Sequence, residues 1–312
     1  MTTVYFQPPE CRAHDMGRGH PECPQRLDAI GDHLLASGLD AALQHRDAPP
    51  VARSDIELAH TAGYVAELLD FLEQVRLGGE MRALDPDTVA CASTWDAVQR
   101  AAGAAVAATD AVIDGEASNA FCAIRPPGHH ATREAAMGFC FLNNIAIAAR
   151  HALDVRGIER VAVVDFDVHH GNGTEDILAG DERVLMCGIF QHPFYPYSGG
   201  VPMGTNMVNL PVPAYTRGPA IRELIEQHWL PRLEEFEPQM IFISAGFDAH
   251  REDDLGQLGL VEADYAWITQ RLMDVARRHA NGRIVSCLEG GYNLSALARS
   301  VGAHLRVLAG LA

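Results

Sequence analysis

The chain has 312 residues, 48% of them hydrophobic, and a formal net charge of −17. That size and apolar content allow one large core, while the acidic balance disfavours a nucleic-acid partner, whose phosphates want a basic face. No lysine occurs anywhere, which excludes lysine Schiff-base chemistry and the Gly-Lys-Ser/Thr phosphate loop.

The N-terminus carries no basic stretch followed by an apolar one, and no apolar run approaches the roughly 18 residues of a membrane span. The expectation is a cytoplasmic protein without signal peptide or membrane partner. Its seven cysteines are scattered and never form Cys-x-x-Cys, as reduced buried thiols would be. In chain order the apolar periodicity predicts a helix over 24–37, a helix over 94–113, a strand over 119–124 and a helix over 142–155. Strands over 160–165 and 184–189 follow, then a helix over 219–236, a strand over 240–245, a helix over 262–280, a strand over 283–288 and a helix over 294–309. Strand and helix in alternation predict one α/β domain spanning 1–312, a parallel sheet flanked by helices on both faces. Continuous runs such as Val161-Ala162-Val163-Val164 suit strands buried on both faces.

Four of these strands lead into polar, Gly-rich sequence: Arg125–His130, Asp165–Gly173, Ala245–His250 and Glu289–Tyr292. Ligands of open α/β sheets sit at the carboxyl ends of strands, so the four segments should converge. In Asp165-Phe166-Asp167-Val168-His169 the period of two puts three metal-capable side chains on one side. Buried carboxylates need a cation nearby, and Asp248 ends another buried strand. Asp167, His169 and Asp248 are the expected ligands of one catalytic Zn²⁺, leaving a fourth position for water and substrate. Two carboxylates temper the acidity of the bound water, so a general base is needed. His129 and His130 are the candidates for proton transfer, with Asp165 orienting His129 and Asn172 orienting His130. Tyr292, after Gly290 and Gly291, can donate a hydrogen bond to an oxyanion.

Together these segments resemble the arginase–deacetylase superfamily, and within it the class II histone deacetylases and their bacterial relatives. The resemblance also runs through Gly19–Leu27 and Gly138–Asn144 and covers nearly the whole chain. It implies the arginase/deacetylase fold, with a sheet of about eight strands. It implies the ligand and proton-transfer roles already given, and that Tyr292 polarises the acyl carbonyl. It further implies a narrow tunnel for an acylated amine, walled by Phe139 and by Tyr195, with Phe194 as the alternative wall. Gly138, Leu255 and Gly290 complete the expected substrate contacts. Asn172 stands where class I members carry Asp.

Two departures stand out. The family commonly holds K⁺ near Asp165, Asp167 and His169 with help from a serine, and Gly188 occupies that serine's place, which predicts a weaker site or one completed by water. Relatives usually have Pro at the Asp254 position, and polyamine-selective eukaryotic relatives carry Glu at the Leu255 position, although Asp253 and Asp254 could still draw a cationic substrate. The function expected is a zinc-dependent deacetylase hydrolysing the acetamide of acetyl-lysine side chains or acetylated small amines. An acetylpolyamine amidohydrolase, a two-manganese arginase-like hydrolase and a non-catalytic acyl-amine binder are the rivals. Self-association is left open.

Overall fold

Val, Ile, Phe and Ala fill the short strands on which this protein is built, and the computed structural model describes them within residues 2–311. The strands are β1 (Thr3–Phe6), β2 (Leu43–Arg46), β3 (Arg82–Ala83), β4 (Val89–Ala90), β5 (Asn119–Cys122), β6 (Val161–Asp165), β7 (Val184–Gln191), β8 (Met207–Val212), β9 (Met240–Ala245) and β10 (Ile284–Leu288). Eight form one sheet in the order β2-β1-β5-β10-β9-β6-β7-β8. Every neighbouring pair in it is parallel, while β3 and β4 make a small antiparallel hairpin. Central strands β5, β6, β9 and β10 are buried along their whole length, as parallel strands covered by helices must be. Helices Thr94–Ile113 and Asn144–Asp154 pack together, and Gln25–Ala36 and Glu262–His279 pack with Leu294–Leu308.

The order of the strands is what creates a site. β5, β10, β9 and β6 are consecutive neighbours although they lie far apart in the chain. All run the same way, so the segments after Cys122, Leu288, Ala245 and Asp165 emerge side by side at one edge.

The expected strands are all present, with ends shifted by a residue or two. β5 stops at Cys122 rather than 124, ahead of Arg125-Pro126, and β7 continues to Gln191 rather than 189. Three strands of the sheet were not foreseen from periodicity. β1 has four residues, β2 is a polar edge strand, and β8 contains Asn209 and Pro211. Proline lacks the ladder donor and is tolerated on an edge, which is where β8 lies. The helix expected over 219–236 is interrupted by a wide turn at Ile225–Trp229 between Gly218–Leu224 and Leu230–Phe236. Pro231 explains it: a proline cannot donate to the turn before it, and a π-type widening accommodates the ring. Trp229, fully buried, is turned inward there. Among the described residues no helix is long and apolar enough to cross a membrane.

One close backbone approach locks the helix Thr94–Ile113 to the segment before it. Val51 N–H donates to Gln99 O at 2.9 Å, and a Cβ on Gly103 would run into the Pro49 carbonyl and stand 2.9 Å from Val51 N. Replacing a mid-helix glycine by alanine ordinarily gains about 1 kcal/mol. Overpacking against an immovable carbonyl costs up to about 3 kcal/mol and outweighs it. Gly103→Ala is therefore expected to lower the urea midpoint with the m-value unchanged; an equal or higher midpoint would show that the 49–51 segment yields freely.

Candidate active site

Asp167 and His169 follow β6, and Asp248 follows β9. Their ligand atoms lie within 4.8 Å of one another. His169 Nδ1 stands 3.0 Å from Asp167 Oδ1 and 3.2 Å from Asp248 Oδ2. The second oxygen of each carboxylate is held by backbone: Gly290 N–H donates to Asp167 Oδ2 at 2.8 Å and Val168 N–H to Asp248 Oδ1 at 2.8 Å. Asp248 Oδ2, by contrast, is buried without a hydrogen-bond partner; the single Nδ1 proton of His169 goes to Asp167, and 3.2 Å is contact only. Burial and the Asp167 charge push the Asp248 carboxyl up to about 7. Against burial, the hydrogen bond to Asp167 and the negative charges of Asp248 and Asp167 lift His169 to about 10. Asp248 and His169 thus favour protons beside an Asp167 that stays ionised, in a place where a cation would replace them, and a borderline divalent ion suits two oxygens and one nitrogen.

The paired histidines enter from the turn after β5. His129 Nδ1 lies 3.0 Å from Asp165 Oδ2, and its Nε2 lies 3.8 Å from Asp167 Oδ2. Burial opposes its charge, yet Asp167 and Asp165 hold it well above the ordinary imidazole range. His130 Nδ1 lies 2.7 Å from Asn172 Oδ1. Burial, then the neighbouring His129 and His169, hold it well below that range. The two rings are 4.0 Å apart between centroids, so adjacent histidines occupy opposite protonation states through their partners alone.

Tyr292 follows the tight Gly290-Gly291 turn after β10. Burial keeps its phenol well above the usual tyrosine range although Arg26 pulls the other way, so it remains a donor. A cavity of about 270 Å³ opens above the triad, lined by Asp87, His130, Gly138, Phe139, His169, Phe194, Tyr195, Leu255 and Tyr292. Phe194 stacks on His169 with centroids 5.4 Å apart, and Phe139 stands edge-on to Tyr292 at 5.9 Å. An aliphatic stem fits between such rings while a polar end reaches the floor.

A family model described as the histone deacetylase domain matches residues 20–308. The chain belongs to the histone deacetylase family. It is 40% identical to the histone deacetylase-like amidohydrolase of Pseudomonas aeruginosa over 282 residues, 88% of this chain and 73% of that one. It is 38% identical to a probable deacetylase of Archaeoglobus fulgidus, covering 90% of this chain and 79% of the other. It is 36% identical to the mouse polyamine deacetylase HDAC10, over 99% of this chain but 46% of that protein. The crystal structure of the HDA15 HD domain superposes with a TM-score of 0.93 at 32% identity, covering 99% of this chain and 89% of that one. Family membership makes the protein a hydrolase of the deacetylase class.

Within this histone deacetylase framework most of the expected site residues meet. Asp165, Asn172, His129 and His130 form the two orienting pairs, and Gly138, Phe139, Phe194, Tyr195, Leu255 and Tyr292 share the cavity. Both aromatics before Pro196 line it, so they are joint walls rather than alternatives. Gly290 lies elsewhere. It is buried beneath the triad, where a Cβ would collide with the carboxylates of Asp248 and Asp167, and its N–H holds Asp167. Its lack of a side chain lets the turn after β10 pass under the two acids. Asp253 also departs from expectation. Its carboxylate is buried, accepting from Leu255 N at 3.0 Å, Tyr292 N at 2.6 Å and Asn293 N at 2.8 Å. It positions the Tyr292 turn and cannot face a substrate, whereas Asp254 is exposed.

Sequence reasoning missed a supporting layer. Glu289 Oε2 accepts Gly128 N at 2.7 Å and His129 N at 3.1 Å, anchoring the histidine turn to β10. Glu22 pairs with Arg125 at 2.7 Å and Arg26 at 3.2 Å, all three fully buried, and Arg26 Nε donates to Gly291 O at 2.7 Å. The available signal was a charged residue directly after an apolar run, as in Ile124-Arg125 and Leu288-Glu289; Glu22 and Arg26 lie in a polar, Pro-containing stretch that gives no such signal. Asp87 in the cavity wall was missed too; burial, with Asp85 beside it, pushes its carboxyl up to about 6. Removing the Asp253 acceptor strands several backbone donors at a cost of about 1–3 kcal/mol each. Asp253→Ala should therefore lower the thermal midpoint and raise proteolytic cleavage near Tyr292; a midpoint equal to wild type would remove Asp253 from this role.

Proposed function

We propose that this histone deacetylase family member hydrolyses the acetamide of N-acetylated amines, acetyl-lysine side chains or acetylated small amines, with one zinc ion held by Asp167, His169 and Asp248. The carrying observation is the orphaned, buried Asp248 oxygen beside Nδ1 of His169, which lines a largely apolar cavity together with His130 and Tyr292. We take residues 1–312 to work as one catalytic domain, and the cytoplasm as its compartment; seven free cysteines, five of them buried, suit a reducing environment.

Zinc bound there supplies Lewis acidity, polarising the acyl oxygen and lowering the pKa of water. The chain does the rest. Phe139, Phe194 and Tyr195 enclose the stem of the substrate and exclude bulk water. Of the two histidines, His130 lines the cavity. Its Nδ1 is engaged by Asn172 and its surroundings keep it neutral, so Nε2 takes a proton from the attacking water and returns it to the leaving nitrogen. His129, charged against Asp165, supports the negative charge that develops. The Tyr292 phenol donates to the oxyanion of the tetrahedral intermediate. A potassium ion beside Asp165, Asp167 and His169 belongs to the reading; at Gly188 no hydroxyl is present, and Asn209 Oδ1 lies 3.8 Å from where a Cβ would stand.

Acetylated polyamines are the second reading. It is favoured by the Asp87 carboxyl in the cavity wall, which a cationic tail would ionise, and by the name of the mouse relative. It is opposed by Leu255, an apolar side chain at the same opening.

Tyr292→Phe is expected to retain zinc and lose about 10²–10³ in kcat, the usual effect of one oxyanion donor; unaltered turnover would discard that role. Asp248→Ala should lose metal and activity together. Metal analysis of the wild type should return one zinc per chain, and two manganese ions would support the arginase-like alternative instead. Competition between an acetyl-lysine peptide and acetylspermidine on the zinc-loaded protein separates the two substrate readings.

A further inference from the structure

Phe194 and Tyr195 sit on an irregular segment, 192–203, between β7 and β8, and such a segment has no ladder of its own to fix a cavity wall. What holds it is a cluster of buried polar groups that the chemistry above does not use. His170, next in the chain to His169, has Nδ1 2.8 Å from Ser198 Oγ. Its Nε2 lies 2.7 Å from Glu175 Oε2, a close polar contact off the N–H axis. Glu175 Oε1 accepts Met203 N at 2.9 Å and Asn209 Nδ2 at 3.1 Å, and Asn209 Nδ2 also donates to Gly199 O at 3.1 Å. His170 and Glu175 are almost completely buried, at 2% and 1% exposure. The fit is close: Gly199 has φ +80°, and a Cβ there would come within 2.6 Å of His170 Cδ2. Glu175 lies on the short helix Asn172–Leu178, which also carries Asn172. The same short stretch therefore supplies a triad histidine, the His130 partner and both anchors of the wall.

We propose that His170 and Glu175 are positioning residues whose hold on Ser198, Met203 and Asn209 sets where Phe194 and Tyr195 stand, and through them which acyl group the cavity admits. The acyl-selection part rests on the deacetylase reading above. Anchoring the wall from the residue next to His169 keeps the distance between wall and metal site constant, and that distance decides how many carbons fit beside the scissile bond. One methylene in a rigid pocket is worth about 10-fold or more in discrimination, and a loosened wall gives part of it up.

The test uses full-length, zinc-loaded protein. Ser198→Ala leaves the fold intact, because Ser198 is only half-buried; Glu175→Ala removes the second anchor; Glu175→Gln keeps the oxygen that Met203 and Asn209 use and serves as the conservative rescue. Hydrogen–deuterium exchange of peptides covering 192–203 should quicken about 5-fold in Ser198→Ala, the effect of one hydrogen bond, more in Glu175→Ala, and little in Glu175→Gln. KM for an acetyl-lysine peptide should rise about 5-fold with kcat nearly unchanged, and preference for acetyl over butyryl should relax about 3-fold. Unchanged exchange in both Ser198→Ala and Glu175→Ala would overturn the proposal. So would a fall in kcat and zinc content at constant KM, since the cluster would then serve only His169. If the wild type cleaves no acetylated amine, the deacetylase reading fails separately, and loop exchange alone decides whether the pair anchors the wall.

Discussion

Two carboxylates, Asp167 and Asp248, are confined side by side almost wholly out of solvent contact, and the rest of the site follows from that. Like charges at this range in a medium of low dielectric repel strongly, and neither acid can turn away. Each has one oxygen tied to a backbone N–H, and those donors come from other strand ends: Gly290 after β10 holds Asp167, and Val168 after β6 holds Asp248. Asp167 Oδ1, which also accepts His169 N–H, and Asp248 Oδ2 both face His169 Nδ1. A positive charge in the middle suits this packing, since burial and the Asp167 charge both raise the Asp248 carboxyl.

The same logic extends outward. A charged His129 beside a neutral His130 needs one carboxylate partner and one amide partner, which Asp165 and Asn172 provide. The turns that present these groups carry no regular ladder, so buried polar residues hold them. Glu289 ties the histidine turn to β10, the Glu22–Arg125–Arg26 cluster fastens the Gly291 turn, and Asp253 grips the start of the segment after Tyr292. Buried ion pairs of this sort are weak sources of stability because desolvation offsets their attraction. Their value here is geometric: they set the position of the loops that face the substrate.

Much of this was legible before any coordinates. Uninterrupted apolar runs marked β5, β6, β7, β9 and β10, because strands buried on both faces carry no alternation to obscure them. Asp165, Asp167 and His169 were legible because a period of two on a short stretch leaves little freedom. β1, β2 and β8 were not, since short or edge strands tolerate polar residues and proline. Asp253 was misread because acidic residues in a row suggest a solvated rim, and only contacts with Tyr292 and Asn293, about forty positions away in the chain, reveal its burial.

The sequence by itself determined the chemistry on offer: which side chains can bind a metal, carry a proton or donate to an oxyanion, and the strand ends on which they sit. Those properties are local, carried by residue type and by spacing of a few positions. Only the tertiary structure decided who faces whom. That β5, β10, β9 and β6 are adjacent, that His130 rather than His129 meets the cavity, and that Gly290 lies under the acids instead of beside the substrate are consequences of strand order and of contacts across more than a hundred residues of chain. Spacing along the chain does not encode such long-range neighbours, because they are set by the packing of the whole core.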